Sequence, residues 1–193
     1  MVNKNIQLLI KDALAGKQSA YEALLKRYKN GIYSMIYQMI RNREETEDLV
    51  QETFIKAFNS LEKYNKNYAF STWLYRITVN KCMDYLRKRK RKEHYEVELD
   101  KEEGLKLKGL AMNSADSGYQ NTERQELQEI IQKVLNSLPE KYRVILVLRE
   151  IEELSYQEIA RVMKVSVSKV KVLLFRARQK IKEKLLPVYQ EVI

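Results

Sequence analysis

Helix breakers are scarce in this chain of 193 residues, which holds five glycines and two prolines, Pro139 and Pro187. Long runs free of both favour helices, and no glycine-rich loop is available to cradle a phosphate. Cys82 is the only cysteine, which excludes an intramolecular disulfide and fits a reducing, cytoplasmic setting. His94 is the only histidine, so no His/Cys ligand cluster can form, and neither metal nor cofactor is expected. No apolar run approaches the roughly 20 residues that a membrane-spanning helix needs. The N-terminus MVNKNIQLLIKDALAG is amphipathic, contains Asp12, and lacks the apolar centre of a signal peptide. Carboxylates are plentiful, but none sits in an apolar context that would raise its pKa, and no nucleophile elbow is present. The chain therefore does not read as an enzyme and calls for no small-molecule substrate.

What it does have is apolar material for real cores, at 45% hydrophobic residues, and a net charge of +10. That charge is unevenly placed. Residues 61–92 carry ten Lys/Arg against Glu62 and Asp84, and residues 155–184 carry nine against Glu158 and Glu183. The two excesses, +8 and +7, exceed the whole-chain charge between them, so the remainder is acidic. Two separate basic surfaces point to a polyanion touched at two places, and nucleic acid is the obvious one.

Three pieces emerge along the chain. Over residues 1–92 helical spacing dominates: Ser19 with Glu22 and Asn42 with Glu45 look like N-terminal capping pairs, and Val50, Phe54, Ala57, Phe58 and Leu61 mark one apolar face. Over 93–121 the pattern dissolves into an acidic linker holding three of the five glycines and the acids Glu93, Glu96, Glu98, Asp100, Glu102, Glu103 and Asp116. Within it YEVEL (95–99) alternates like a short strand, and the chain past Arg89 reads either as helix or as a tail. The third piece, 122–193, opens on a Thr122/Gln125 capping pair. Leu127, Ile130, Ile131, Val134, Leu135 and Leu138 then repeat at amphipathic-helix spacing. Pro139 suits the first position of the next helix, and VILVL (144–148) is read as helix from its flanks. The expected fold is all-α, two small helical domains joined by the linker.

LSYQEIARVMKVSVSKVKVLLFRARQKIK (154–182) has the layout of a helix-turn-helix. Ser155 and Glu158 form a capping box, and Ser166 caps a second helix whose inward face is Val167, Val170, Leu174, Ala177 and Ile181. Its basic residues point largely outward, as a helix entering a DNA major groove requires. An ordinary helical hairpin with a solvated face is the other reading; the absence of acids on that face before Glu183 weighs against it.

DLVQETFIKAF (48–58), FSTWLYRITVN (70–80), LPEKYRVILVLREIEELSYQEIA (138–160) and VSKVKVLLFRARQKIK (167–182) occur in that order. Together they resemble the extracytoplasmic-function group (group IV) of bacterial RNA polymerase sigma factors, in the sigma-70 superfamily. The resemblance implies an alternative sigma factor that binds core RNA polymerase and starts transcription at stress-type promoters. A region 2 domain, 1–92, would bind core and read and melt the −10 element, and a region 4 domain, 122–193, would read the −35 element. It also implies that Asp48, Gln51 and Glu52, which share one helical face, dock on the β′ coiled coil, and that region 4 meets the β flap. The linker would pass through the polymerase channels, although a solvated acidic spacer reads equally well. Cytoplasmic localisation and an anti-sigma factor, often membrane-anchored, are further expectations of the resemblance.

For the −10 element the expected residues are Tyr64, Phe70, Trp73, Asn80, Lys81, Arg87 and Lys88. Opening a promoter exposes bases on which aromatic rings can stack, and Tyr64, Tyr68, Phe70, Trp73 and Tyr75 are interleaved with Lys63, Lys66, Arg76 and Lys81. An amide such as that of Asn80 can both donate to and accept from a base edge. Leu74 and Ile77, with most of Phe70 and Trp73, are expected to be core, while the RKRKRK run (87–92) would hold phosphates. For the −35 element the matching positions are Ser168, Lys169, Lys171, Val172, Phe175 and Arg176. The chain departs from the family at three places: Lys164 replaces the glycine of the turn, Ser168-Lys169 replaces Gly-Thr, and Val172-Leu173 replaces Ser-Arg. Val172 can meet a thymine methyl where relatives use a hydroxyl. Two rivals to this reading bind or regulate without starting transcription: a stand-alone helix-turn-helix regulator, and a component of an anti-sigma-controlled complex that never binds DNA. The aromatic-basic block at 63–92 argues against the first, because a duplex reader has no use for stacking residues.

Overall fold

The computed structural model describes residues 2–102, 130 and 133–191, with side chains for 5–92, 130 and 133–186. Helix α1 (Val2–Leu14) ends where Gly16 takes φ +82 and its N–H bonds Ala13 O. The chain enters α2 (Gln18–Ile40) directly from that turn, with Lys17 as its uncapped N-cap. Ser19 and Glu22 therefore lie inside α2 and are not the expected cap: the backbone of the Gly16 turn sets the helix start. α2 stops at Arg41, which is left-handed with φ 58, and Asn42 then caps α3 (Arg43–Asn59) by accepting from Glu45 N at 3.0 Å. A 3-10 turn (Leu61–Lys63) and a loop lead into α4 (Phe70–Glu102).

α4 is longer than expected. Its backbone passes residue 92 and runs through YEVEL, which is helix rather than strand, so a short alternation did not outweigh an uninterrupted, breaker-free helix. The Thr122/Gln125 pair, Leu127, Ile131 and the linker beyond residue 102 lie outside the described residues. Residues 133–136 form a helical turn leading to Pro139, which stands at the cap of α5 (Glu140–Leu146), one place before its expected first position. α5 continues as a π-helical turn, Val147–Ile151, so VILVL is helical. α6 (Tyr156–Met163) and α7 (Val167–Glu191) complete the fold, and no strand occurs among the described residues.

α1, α2, α3 and α4 pack together in the N-terminal half, and α5, α6 and α7 in the C-terminal half. Leu24, Ile32, Met35, Ile36, Met39 and Leu74 are fully buried in the first, and Ile145, Leu148, Ile159 and Leu174 in the second. Cys82 is buried too, and burial pushes its thiol pKa up to about 12. The two halves also touch each other: α4 packs against α6, and α2 against the π turn. The guanidinium of Arg143 anchors this junction. It is buried and donates to Leu135 O, Asn136 O and Leu138 O of its own half, and to Met39 O of α2 at 2.8 Å.

Candidate nucleic-acid interface

The loop between the 3-10 turn and α4 is held from within. The Tyr64 hydroxyl donates to Tyr68 O at 2.6 Å and accepts from Gln7 Nε2 at 3.2 Å, while Asn67 N donates to Asn65 Oδ1 at 2.9 Å. Tyr64, Phe70 and Trp73 are buried, and their rings pack on one another with centroids 5.4–5.6 Å apart. Three of the five rings expected to stack thus build the floor of the site, and burial raises the Tyr64 pKa. The ring left facing outward is Tyr68, 44% exposed. Leu74 is fully buried and Ile77 half-buried, as core spacing requires.

Above this floor lies a cavity of about 400 Å³ lined by Lys63, Asn65, Tyr68, Thr72, Trp73, Arg76 and Arg161. Flat rings, an amide, a hydroxyl and cations converge here around a volume in the range of small-ligand sites. The sequence gives no signal for the part played by Arg161, because α6 reaches this wall only through the packing of the two halves. Its guanidinium sits 4.5 Å from the Tyr68 ring centroid.

Asn80 does not line the cavity; it is exposed further along α4. Lys81 is one position on, with its ammonium 2.6 Å from Glu52 Oε2. Arg87 and Lys88 are exposed toward the far end of α4, Arg87 beside Asp84 at 3.3 Å. The −10 candidates therefore divide into a cavity group and a line running along the helix. On α3, Asp48, Gln51 and Glu52 are all exposed, and Ile55 joins them at 59% exposure. The opposite face, Val50, Phe54 and Ala57, is buried, with Leu61 just beyond it.

In the helix-turn-helix, Ser155 Oγ accepts from Glu158 N and the Glu158 carboxylate accepts from Ser155 N at 2.9 Å, closing a full capping box. Burial pushes the Glu158 pKa up, but hydrogen bonds from Ser155 and Thr72 outweigh it and hold the carboxyl below its usual range. Lys164 occupies the turn at φ 54, the left-handed conformation that glycine adopts most easily. Ser166 Oγ accepts from Lys169 N at 3.2 Å and starts α7.

Ser168, Lys169, Lys171, Val172, Phe175 and Arg176 are all exposed, while Val170, Leu173, Leu174 and Ala177 are buried. Val167 and Ile181 are only half-buried. Leu173 is buried with the core, so of the Val172-Leu173 pair Val172 alone lies on the exposed face. Among the described residues no three His, Cys, Asp or Glu side chains stand together to hold a metal, and no helix is long and apolar enough to cross a membrane.

Comparison with known families matches residues 24–92 to Sigma-70 region 2 and residues 128–181 to Sigma-70, region 4. The ECF RNA polymerase sigma factor SigW of Bacillus subtilis is 34% identical over 180 residues, covering 93% of this chain and 96% of that protein. The ECF RNA polymerase sigma-E factor of Haemophilus influenzae is 34% identical over 182 residues, 94% of this chain and 96% of its own length. Among solved structures, CnrH in complex with the cytosolic domain of CnrY aligns with a TM-score of 0.66 at 25% identity, covering 92% of this chain and 95% of that one. The sigma factor RpoE of Bartonella quintana, solved with the anti-sigma factor NepR, shares the fold at a TM-score of 0.62 and 22% identity, over 86% and 96% of the two chains.

Proposed function

The chain belongs to the extracytoplasmic-function sigma factors, initiation factors rather than enzymes, and on that premise we propose how its surfaces divide the work of directing RNA polymerase to promoter DNA. The −35 element is read by α7. The carrying observation is a capped helix whose six candidate positions, Ser168, Lys169, Lys171, Val172, Phe175 and Arg176, are all exposed while the intervening Val170, Leu173 and Leu174 are buried. Such a helix presents its N-terminal turns to a major groove, with lysines for phosphates and Arg176 for a guanine edge or a phosphate.

The −10 element, once single-stranded, is taken by the cavity beside α4. Tyr68 and the edge of Trp73 offer stacking surface worth about 1–3 kcal/mol per base. Lys63 and Arg76 meet phosphates, and Asn65 and Thr72 offer hydrogen bonds to a base edge. Tyr64 and Phe70 support this surface from below rather than touching DNA. Asn80, Lys81, Arg87 and Lys88 extend the track along α4 toward the duplex, where cations add affinity without sequence information.

The face of α3 holding Asp48, Gln51, Glu52 and Ile55 docks on the β′ coiled coil of core polymerase, the acids supplying direction and Ile55 apolar contact. The region 4 half meets the β flap. The similar CnrH is solved with the cytosolic domain of CnrY and the similar RpoE with the anti-sigma factor NepR; an anti-sigma partner is proposed here as well, and the chain would work in the cytoplasm where polymerase is. Binding of fork-junction and plain duplex DNA by the polymerase complex tests this division. Preference for the fork, lost on Tyr68→Ala, is expected; equal affinity for both would return the chain to the rival class of duplex-only regulators.

A further inference from the structure

The loop that walls the cavity has no core of its own. Residues 65–69 are all exposed, with Tyr64 before them and Phe70 after them buried. Hydrogen bonds must therefore set its shape. The backbone turn runs from Tyr68 N to Asn65 O at 3.2 Å, Asn67 N donates to Asn65 Oδ1, and the Tyr64 hydroxyl donates to Tyr68 O. The last of these closes residues 64–68 into a ring, and it holds both loop residues beyond Tyr64 that line the cavity, Asn65 and Tyr68.

Behind the Tyr64 hydroxyl stands Gln7 of α1. Ile6, Ile10 and Ala13 are buried and dock α1, which packs against the 3-10 turn preceding the loop. Gln7 sits half-buried beside that stripe and donates from Nε2 to the Tyr64 oxygen at 3.2 Å. The neighbouring bond fixes the direction of this one. A tyrosine hydroxyl has a single proton, and Tyr68 O, a carbonyl, can only accept, so the proton lies on that side. What remains toward Gln7 is a lone pair, which a side-chain N–H satisfies and an oxygen would repel. Residues 24–92 match Sigma-70 region 2, so this support comes from a helix outside the matched stretch, one that holds none of the expected promoter positions.

We infer that Gln7 is a positioning residue for base selection at −10: its amide keeps the Tyr64 proton on Tyr68 O and so holds Asn65 and Tyr68 in the arrangement that meets the base. The inference rests on the assignment of the cavity to the −10 strand. An acceptor at position 7 would compete with Tyr68 O for the one proton. An apolar group would leave the bond to Tyr68 O in place but unsupported. Gln7→Glu and Gln7→Met, close to glutamine in size, separate these two cases.

The test uses holoenzyme assembled from core polymerase and each full-length variant. Run-off transcription is compared on templates carrying each of the four bases at the −10 position that the unaltered chain selects most strongly. Gln7→Glu is expected to reduce that preference about two- to tenfold, the range of one neutral hydrogen bond, and Gln7→Met to reduce it less. Destabilisation alone would lower transcription from all four templates alike. In a Tyr64→Phe background no hydroxyl proton remains to be drawn away, so Gln7→Glu should change nothing further. Equal losses from Gln7→Glu and Gln7→Met, or a further loss in the Tyr64→Phe background, would overturn the inference. Tyr68→Ala, measured alongside, tells the two possible failures apart. If it lowers the preference and Gln7→Glu does not, the role of Gln7 is refuted and the cavity reading stands; if neither moves the preference, the cavity reading falls as well.

Discussion

The Lys81 ammonium lies 2.6 Å from Glu52 Oε2, joining a cation of the α4 track to an acid of the α3 docking face. Both side chains are partly exposed, so the pair adds about 0.2–1 kcal/mol to stability at most. Its interest is in function, because one residue from each proposed surface neutralises the other. Glu52→Gln should weaken core binding, measured by titration, and leave helicity by circular dichroism unchanged. With Lys81 released to phosphate, DNA binding should become steeper in salt by roughly 0.7–0.9 in the log–log slope. An unchanged core affinity would remove Glu52 from the docking face.

The loop that carries Tyr68 depends on the Tyr64 hydroxyl, which bonds Tyr68 O and Gln7 together. Tyr64→Phe is expected to cost about 0.5–1.5 kcal/mol of stability and to lower the base preference at −10 while sparing −35 duplex binding. Tyr68→Ala should leave stability nearly unchanged and cost about 1–3 kcal/mol of single-strand binding. Equal effects of the two variants on stability would place Tyr68 in the core rather than in the site.

On α7, Arg176→Ala should cost about 1–3 kcal/mol, concentrated at one base pair if the guanidinium reads a guanine edge. Val172→Ser introduces a hydroxyl at an exposed position and should shift the preferred −35 sequence with little change in stability. A −35 duplex library reads both. Uniform weakening by Arg176→Ala would make it a phosphate clamp, and an unmoved preference for Val172→Ser would make that departure neutral.

Lys164 holds the helix-turn-helix turn at φ 54, with the N–H of Val165 bonded to Ala160 O at 3.0 Å. A lysine there bears a left-handed penalty of about 1 kcal/mol that glycine avoids. Lys164→Gly should therefore raise stability in urea unfolding by somewhat less than that, since glycine also gains entropy in the unfolded chain. A loss of stability would show that the lysine side chain makes up for its backbone.

These tests follow the line between what the sequence disclosed and what it hid. Helical caps at Asn42, Ser155 and Ser166 and the buried stripe of α7 were legible because they are local, set by residues three or four apart. Ser19 misled because the Gly16 turn, not the capping pattern, starts α2. That Leu173 joins the buried stripe of Val170, Leu174 and Ala177 was not legible, because motif matching does not give helix phase. Phe70 and Trp73 were legible as mostly core, and Tyr68 stood among the rings expected to stack, but which of those rings is exposed was not legible, since the Tyr64 hydrogen bond shapes the loop. Arg143 and Arg161 gave no signal at all, because their partners Met39 and Tyr68 are far away in sequence.

The most direct test of the central claim is run-off transcription by core RNA polymerase with this chain across a randomised promoter library. The predicted result is transcripts that require the chain and come from templates sharing two short elements at one fixed spacing, the upstream one altered by Val172→Ser and the downstream one relaxed by Tyr68→Ala. Transcription no greater than that of core alone, or enrichment of a single duplex element, would contradict it.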